Sequence, residues 1–202
     1  MLYFFFFVRM MTMNRTRNTP TAQRRQRQIE DCLYHNLLHT PWQSISVADI
    51  CRQVGISRKA YYNYYKDKES CFCSYIDRLI RDNLLETSQS LGDDATLLDS
   101  TIAMLDFWKS KKSLFDILIN NNLTHYLTSR TIHYVLTEDR TVMDRLSTAE
   151  IPSDTDILSC YAAIQTTLIL LWYKRNFDTP TEEMAKKFLR ILQEPLINVV
   201  SQ

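Results

Sequence analysis

Apolar residues recur along this chain at intervals of three and four, the spacing that places them on one face of an α-helix. Ile29, Cys32, Leu33, Asn36 and Leu37 form such a stripe in a first helix expected from about Ala22 to His39, ended by Thr40 and Pro41. Trp42 and Ile45 then suit a cover over the base of a three-helix head. Val47, Ile50, Cys51 and Val54 follow Ser46, a good N-cap, and predict a short second helix that Gly55 stops. Ile56 is placed to plug the angle between two helices. Ser57 caps a third short helix carrying Arg58, Lys59, Tyr61, Tyr62 and Tyr64. The chain is recapped near Asp67, and Phe72, Tyr75, Ile76, Leu79, Ile80, Asn83 and Leu84 sustain a long fourth helix to about Gln89.

Gly92, Asp93 and Asp94 break the pattern. It returns from Ala95 with Leu97, Leu98, Thr101, Ile102, Leu105 and Trp108, passes a basic interruption at Lys109, Lys111 and Lys112, and continues through Leu114, Phe115, Leu118 and Ile119. Asn120, Asn121 and Asn122 mark a corner. A helix is expected over 123–137, a further short one over 138–147, and a break at Ile151, Pro152 and Ser153. The segment Asp154 to Phe177 is apolar over most of its circumference near Ala162–Trp172, more than one buried stripe requires. Thr179 and Pro180 cap a final helix, with Glu182 and Glu183 favourable to its dipole and Met184, Phe188, Ile191, Leu192, Leu196 and Ile197 as apolar positions. Two terminal helices with excess apolar surface suit self-association, although ordinary core packing explains such residues too.

The stretch Ser46–Lys68 has the layout of a helix-turn-helix: two short helices about a turn containing Gly, the second basic and tyrosine-rich and so placed to enter a DNA major groove. Read residue by residue, a Gly between amphipathic helices and a Tyr cluster also fit any helical core. The run Ser57, Arg58, Lys59, Ala60, Tyr61, Tyr62, Asn63, Tyr64, Tyr65, Lys66, Asp67, Lys68, Glu69, with Phe72 after it, resembles the signature of the tetracycline-repressor (TetR/AcrR) family of transcriptional regulators. The resemblance covers about residues 22–72. Lys59 stands where many members have Gly or another small residue, and Ala60 where many have Thr.

The resemblance implies an all-α protein in which an N-terminal helix-turn-helix head is joined by a long helix to a C-terminal ligand-binding and dimerisation bundle. Its parts would be a flexible tail over 1–21, a DNA-binding domain over 22–68 and an effector-binding and dimerisation domain over 69–202. It further implies a dimer on double-stranded DNA with a near-palindromic operator, probes of the groove by Arg58, Lys59 and Asn63, and a backbone-phosphate contact from Tyr62. Tyr61 would touch bases or a sugar, and Lys68 would clamp a phosphate where the next helix starts. Arg58 is the better base reader, since Arg can bond guanine O6 and N7 together, and Asn63 would suit adenine if it faces the groove. Ser46 and Ser57 are caps first, with Ser46 also able to bond a phosphate. Arg24 belongs to a basic arm, with Arg15, Arg17, Arg25 and Arg27, that would add phosphate contacts or reach a minor groove. In such a protein the dimer would form through about 154–177 and 180–199. A small apolar or aromatic effector would fill a pocket lined by Met104, Trp108, Phe115, His125, Tyr126, Tyr134, Tyr161 and Trp172, residues that by type and spacing are more often plain core.

Composition narrows the alternatives. Only two glycines occur in 202 residues, which argues against Gly-rich phosphate loops, dinucleotide fingerprints and hairpin-rich β folds. No HExxH, GxSxG, P-loop or carboxylate pair with a His partner is present, so the chain is not expected to be an enzyme or to need a cofactor or metal. The overall net charge is +1, but residues 1–70 hold eleven Lys and Arg against five Asp and Glu, a net +6, and the rest holds thirteen against eighteen, a net −5. A basic head on an acidic body suits a polyanion at one end only. The five cysteines form no CxxC pair and read as reduced thiols of a cytoplasmic protein. The apolar run Leu2–Val8 is far shorter than the roughly 20 residues that span a bilayer, and it lacks the flanks of a secretion signal. Translation upstream of a start at Met10, Met11 or Met13, a disordered tail and a small hydrophobic patch all fit it. The rival reading is a helical interaction module that keeps the head but regulates through a protein partner.

Overall fold

A computed structural model describes residues 19–91, 95–137 and 155–193. The aromatic run and most of the basic arm, the break at Gly92–Asp94, the short helix expected over 138–147, the break at 151–153 and the C-terminal Leu196 and Ile197 lie outside the described residues. Within them every regular element is helical, and the chain divides into two compact units at Ile76/Asp77. The all-α expectation therefore holds.

The first unit is built on α1 (Pro20–Leu37). It starts two residues earlier than its apolar stripe implies, because Thr19 caps it, its hydroxyl accepting from the Ala22 N–H at 3.3 Å, and Pro20 takes the first turn. A 3₁₀ turn (Trp42–Ser44) leads to α2 (Val47–Val54). Ser46 and Asp49 form a reciprocal capping box at its start. At its end Gly55 takes φ +70°, and the Ile56 N–H closes the turn on the Cys51 carbonyl at 2.9 Å. The short α3 (Arg58–Tyr62) follows, with Ser57 accepting from the Ala60 N–H at 3.1 Å. Next comes α4 (Lys68–Ser90), whose start is fixed by Asp67 and Ser70: the Ser70 N–H donates to Asp67 Oδ1 at 2.7 Å and the Asp67 N–H to Ser70 Oγ at 3.1 Å.

The core of this unit is largely aliphatic on α1 and α2 and mixes aromatic with aliphatic residues elsewhere. Ile29, Leu33, Ile50, Tyr61, Phe72 and Ile76 are wholly buried. Trp42 lies against Phe72 with ring centroids 5.5 Å apart, and Tyr34 stacks on Tyr75 at 4.9 Å. Glu30 is buried too. Its Oε1 accepts from the Tyr65 hydroxyl at 2.8 Å and from Ser74 Oγ at 2.7 Å, so α1, the segment after α3 and α4 meet on one carboxylate. Burial, and then the neighbouring Glu30, hold the Tyr65 phenol well above its usual range. Cys32, expected on the buried face, is only half-buried.

The second unit contains α5 (Leu97–Ser110), α6 (Lys112–Asn120), α7 (Thr124–Thr137), α8 (Thr155–Lys174) and α9 (Thr181–Gln193), with the later part of α4. Thr96 and Asp99 make a second capping box at the start of α5. The basic interruption is a true break: Lys111 leaves helical geometry at ψ 36° and separates α5 from α6. The Asn corner turns at Asn122, which takes φ +58°, a conformation Asn tolerates better than most residues. Helix α8 packs chiefly on α7, and α9 on α5. It stops at Lys174, three residues before the expected end, because Asn176 and Phe177 take φ +57° and +55° and close the turn on the Tyr173 and Trp172 carbonyls. Phe177 is held in this conformation by rings on three sides: Trp172 at 4.9 Å, Tyr173 at 5.8 Å and Phe115 at 6.3 Å. Arg130 on α7 and Asp77 on α4 form a two-pronged ion pair, Nε to Oδ1 and Nη2 to Oδ2 both at 2.6 Å.

Candidate nucleic-acid interface

Helix α3 has only five residues, so about 100° of rotation per residue divides it into a core side and a solvent side. Tyr61 points to the core. It is wholly buried, packs 5.6 Å from Tyr65, and its hydroxyl donates to the Asp67 carbonyl at 3.1 Å. Burial pushes its phenol far above the ordinary tyrosine range. This corrects the expectation that Tyr61 touches bases or a sugar: its ring holds α3 onto the head. Its neighbour Tyr62 meets it edge-on at 5.7 Å and is 55 % exposed.

Arg58, Lys59 and Asn63 are exposed with Tyr62, and Asn63 is the C-cap of α3. Four side chains of the types that bond bases and phosphates therefore share the solvent side of one short helix. Lys66, exposed just beyond it, adds charge. Ser57 is exposed and occupied as the cap of α3. Ser46 is likewise exposed, its hydroxyl accepting from the Asp49 N–H at 3.2 Å while donating to Asp49 Oδ2 at 2.5 Å. The Asp49 carboxyl is held below its usual pKa first by that hydroxyl and then by the Ser46 N–H. Arg24 is exposed on α1.

Lys68 departs from its expected role as a phosphate clamp. Its ammonium donates to the carbonyls of Trp42 at 2.5 Å and Ile45 at 2.8 Å and sits 4.2 Å from the centroid of the Trp42 ring. It ties the 3₁₀ turn to the start of α4. Burial lowers its pKa below the usual lysine value. A cleft of about 290 Å³ on the same unit is lined by Asn36, Thr40, Ser44, Ile45, Asp49, Arg52 and Gln53. Its polar groups already serve one another: Asn36 and Gln53 exchange two amide hydrogen bonds of 3.0 Å, and Arg52 pairs with Asp49.

The residues expected to line an effector pocket fall into different environments. Trp108 and Phe115 are buried core, 6.3 Å apart, in an aromatic cluster with Phe107, Tyr173 and Phe177. Trp172 is wholly buried, its indole N–H donating to the Thr179 carbonyl at 3.1 Å. Tyr134 is buried, Tyr161 half-buried, and His125 exposed beside Tyr126 at 4.2 Å. Met104 is half-buried, and the Gln165 amide donates to its sulfur at 2.9 Å. Spacing alone could not separate these cases, since all of them recur at helical intervals whether they end buried, half-buried or exposed. Among the described residues no cluster of His, Cys, Asp and Glu could hold a metal ion, and no helix is long and apolar enough to cross a membrane.

No protein-family model and no curated protein matches the chain. Solved structures do. A TetR transcriptional regulator from Streptococcus agalactiae superposes with a TM-score of 0.55 over 84 % of this chain and 94 % of its own, at 15 % identity. A TetR-family regulator from Syntrophomonas wolfei gives 0.54 over 85 % and 94 %, at 16 % identity. The fatty acid degradation regulator FadR from Bacillus halodurans gives 0.53 over 88 % and 96 %, at 13 % identity. With its helical order, its capped helix-turn-helix and these superpositions taken together, the chain has the fold of the TetR-type transcriptional regulators.

Proposed function

We propose that this protein is a DNA-binding transcriptional regulator, a repressor that works in the cytoplasm as a homodimer on a near-palindromic operator and leaves it when a small effector binds. The observation that carries the reading is the division of α3: Tyr61 is wholly buried, while Arg58, Lys59, Tyr62 and Asn63 are turned to solvent. A core tyrosine fixes the helix, and the exposed set supplies a base reader, a phosphate donor and a planar amide. Ser46, Ser57 and Arg24 would meet backbone phosphates. Lys66 takes the charge role in which Lys68 is occupied elsewhere.

So short a helix reads few bases, and specific binding then needs two half-sites. The apolar part of the proposed dimer face is on α8, where Leu171 is 45 % exposed and Ile164 and Leu168 are half-buried along one side. The exposed side of α9 carries Glu182, Glu183, Lys186, Lys187 and Arg190, so α9 would contribute its edge.

The test is a gel shift on the protein's own upstream DNA with salt-graded competitor. Arg58→Ala should reduce discrimination between specific and random sequence by roughly 1–3 kcal/mol, and Lys66→Ala should weaken both alike. Identical binding by parent and both variants across the salt range would sink the reading and favour a head that meets a protein partner.

A further inference from the structure

A lysine ammonium has three N–H donors and no acceptor. Lys68 spends them inside the head. It donates to the Trp42 carbonyl at 2.5 Å and to the Ile45 carbonyl at 2.8 Å, and it lies 4.2 Å from the centroid of the Trp42 ring. The Ile45 carbonyl shares a peptide plane with the Ser46 N–H, which donates to Asp49 Oδ2 at 3.2 Å in the capping box that opens α2. Lys68 therefore fixes the peptide from which α2 starts. The residue before it holds α3, since the Asp67 carbonyl accepts from the Tyr61 hydroxyl at 3.1 Å. Two consecutive residues at the entry to α4 thus hold the two helices of the helix-turn-helix, one each. The same entry disfavours a phosphate. Asp67 Oδ1 accepts from the Ser70 N–H at 2.7 Å, so the chain's own carboxylate takes the anion position at the start of α4, and Glu69 follows, exposed.

From this we infer that Lys68 is a positioning residue for sequence recognition: it touches no DNA, and it sets the place of Ser46 and the start of α2 relative to the exposed side chains of α3. The inference rests on the proposed DNA-binding function and adds a residue that acts on it through the Trp42 and Ile45 carbonyls. Without the ammonium, α2 keeps its capping box and α3 keeps Tyr61, but the tie from α4 to the start of α2 is gone. A recognition surface whose supporting contacts are loosened loses discrimination first, because base contacts demand closer geometry than attraction to the phosphate backbone does.

The experiment compares the full chain with Lys68→Met, Lys68→Arg and Lys66→Ala on the protein's own upstream DNA and on random DNA across a salt series. A lysine on a phosphate contributes about 0.9 to the slope of log affinity against log salt, or about 1.8 for the two heads of a dimer. Lys68→Met should keep the slope within about 0.5 of the parent and cut the ratio of specific to random affinity roughly tenfold. Lys68→Arg, whose guanidinium still offers donors to both carbonyls, should restore that ratio to within about threefold. Lys66→Ala should flatten the slope and leave the ratio unchanged. Two results overturn the inference: a slope lower by about 1.8 in Lys68→Met with the ratio intact, which makes Lys68 a phosphate contact, or a lower melting temperature with slope and ratio both intact, which makes it structural only. A second measurement needs no variant. By heteronuclear NMR the Lys68 ammonium signal of the parent should keep its position when the upstream DNA is added, and a signal that moves overturns the inference. A parent without preference for that DNA would defeat the proposed function and this inference with it, whereas a parent preference that Lys68→Met retains would defeat this inference alone.

Discussion

The ion pair between Asp77 and Arg130 supports a quantitative prediction. Both contacts are 2.6 Å, and the side chains are 17 % and 8 % exposed. At that burial water screens little, so removing one partner strands the other's charge in a poor solvent. Breaking such a pair costs about 3–5 kcal/mol, whereas replacing both members with apolar residues is often neutral. Arg130→Met should therefore destabilise by about 3–5 kcal/mol. That corresponds to a melting temperature lower by roughly 6–20 °C, at about 2–4 °C per kcal/mol for a chain of this size. Asp77→Leu should fall in the same range. The double variant Asp77→Leu/Arg130→Met should recover to within about 2 kcal/mol of the parent, a coupling of several kcal/mol. Urea unfolding followed by far-ultraviolet circular dichroism measures all four proteins. Additive losses in the double variant would refute the reasoning, since they would mean that each side chain stabilises through its own packing and not through the other's charge.

Other outcomes follow from single contacts. Gly55 sits at φ +70° with nothing within 4 Å of an added Cβ, so Gly55→Ala should lose about 1 kcal/mol from backbone strain alone, and Gly55→Asn less, by thermal melting. Tyr61→Phe gives up the bond to the Asp67 carbonyl and should lose roughly 0.5–1.5 kcal/mol of stability, while Tyr62→Ala should leave the melt unchanged and weaken DNA binding in a gel shift; the reverse pattern would exchange their roles. The Tyr173 phenol is pushed up to about 12, by burial first and then by its hydrogen bond to Asp116. A raised folded pKa means stability fully present below the unfolded value near 10 and lost as pH rises through about 12. The stability gap between parent and Tyr173→Phe should therefore be constant at neutral pH and close between pH 10 and 12, read by urea midpoints; a gap that stays constant throughout would refute it.

Helix ends were the most legible feature of this chain. Ser46, Ser57 and Gly55 were readable because a cap or a left-handed turn is satisfied by residues three or four positions away. Direction was less legible. Tyr61 and Tyr62 are adjacent and identical in chemistry, and only the packing of α3 against Tyr65 and Asp67 sends one inward and the other out. Lys68 could not be assigned from position, because its partners, the Trp42 and Ile45 carbonyls, lie more than 20 residues earlier. In the body, Trp108 and Phe115 joined an aromatic core, and Asn83, which the helical stripe counts as one more core position, is buried with its amide 3.4 Å from the Met104 carbonyl.

By itself the amino-acid order determined the local grammar: which segments are helical, which residues cap the head helices, and which end of the protein is basic. These depend on interactions across one or two helical turns, and the residues involved are neighbours in the chain. Only the tertiary structure decided that α8 lies on α7 and α9 on α5, that Phe177 is wedged into a left-handed turn by three rings, and that Asp77 meets Arg130 across 53 residues. Such pairings are chosen by shape and by the desolvation of buried charge and amide groups. No short window of sequence contains both partners.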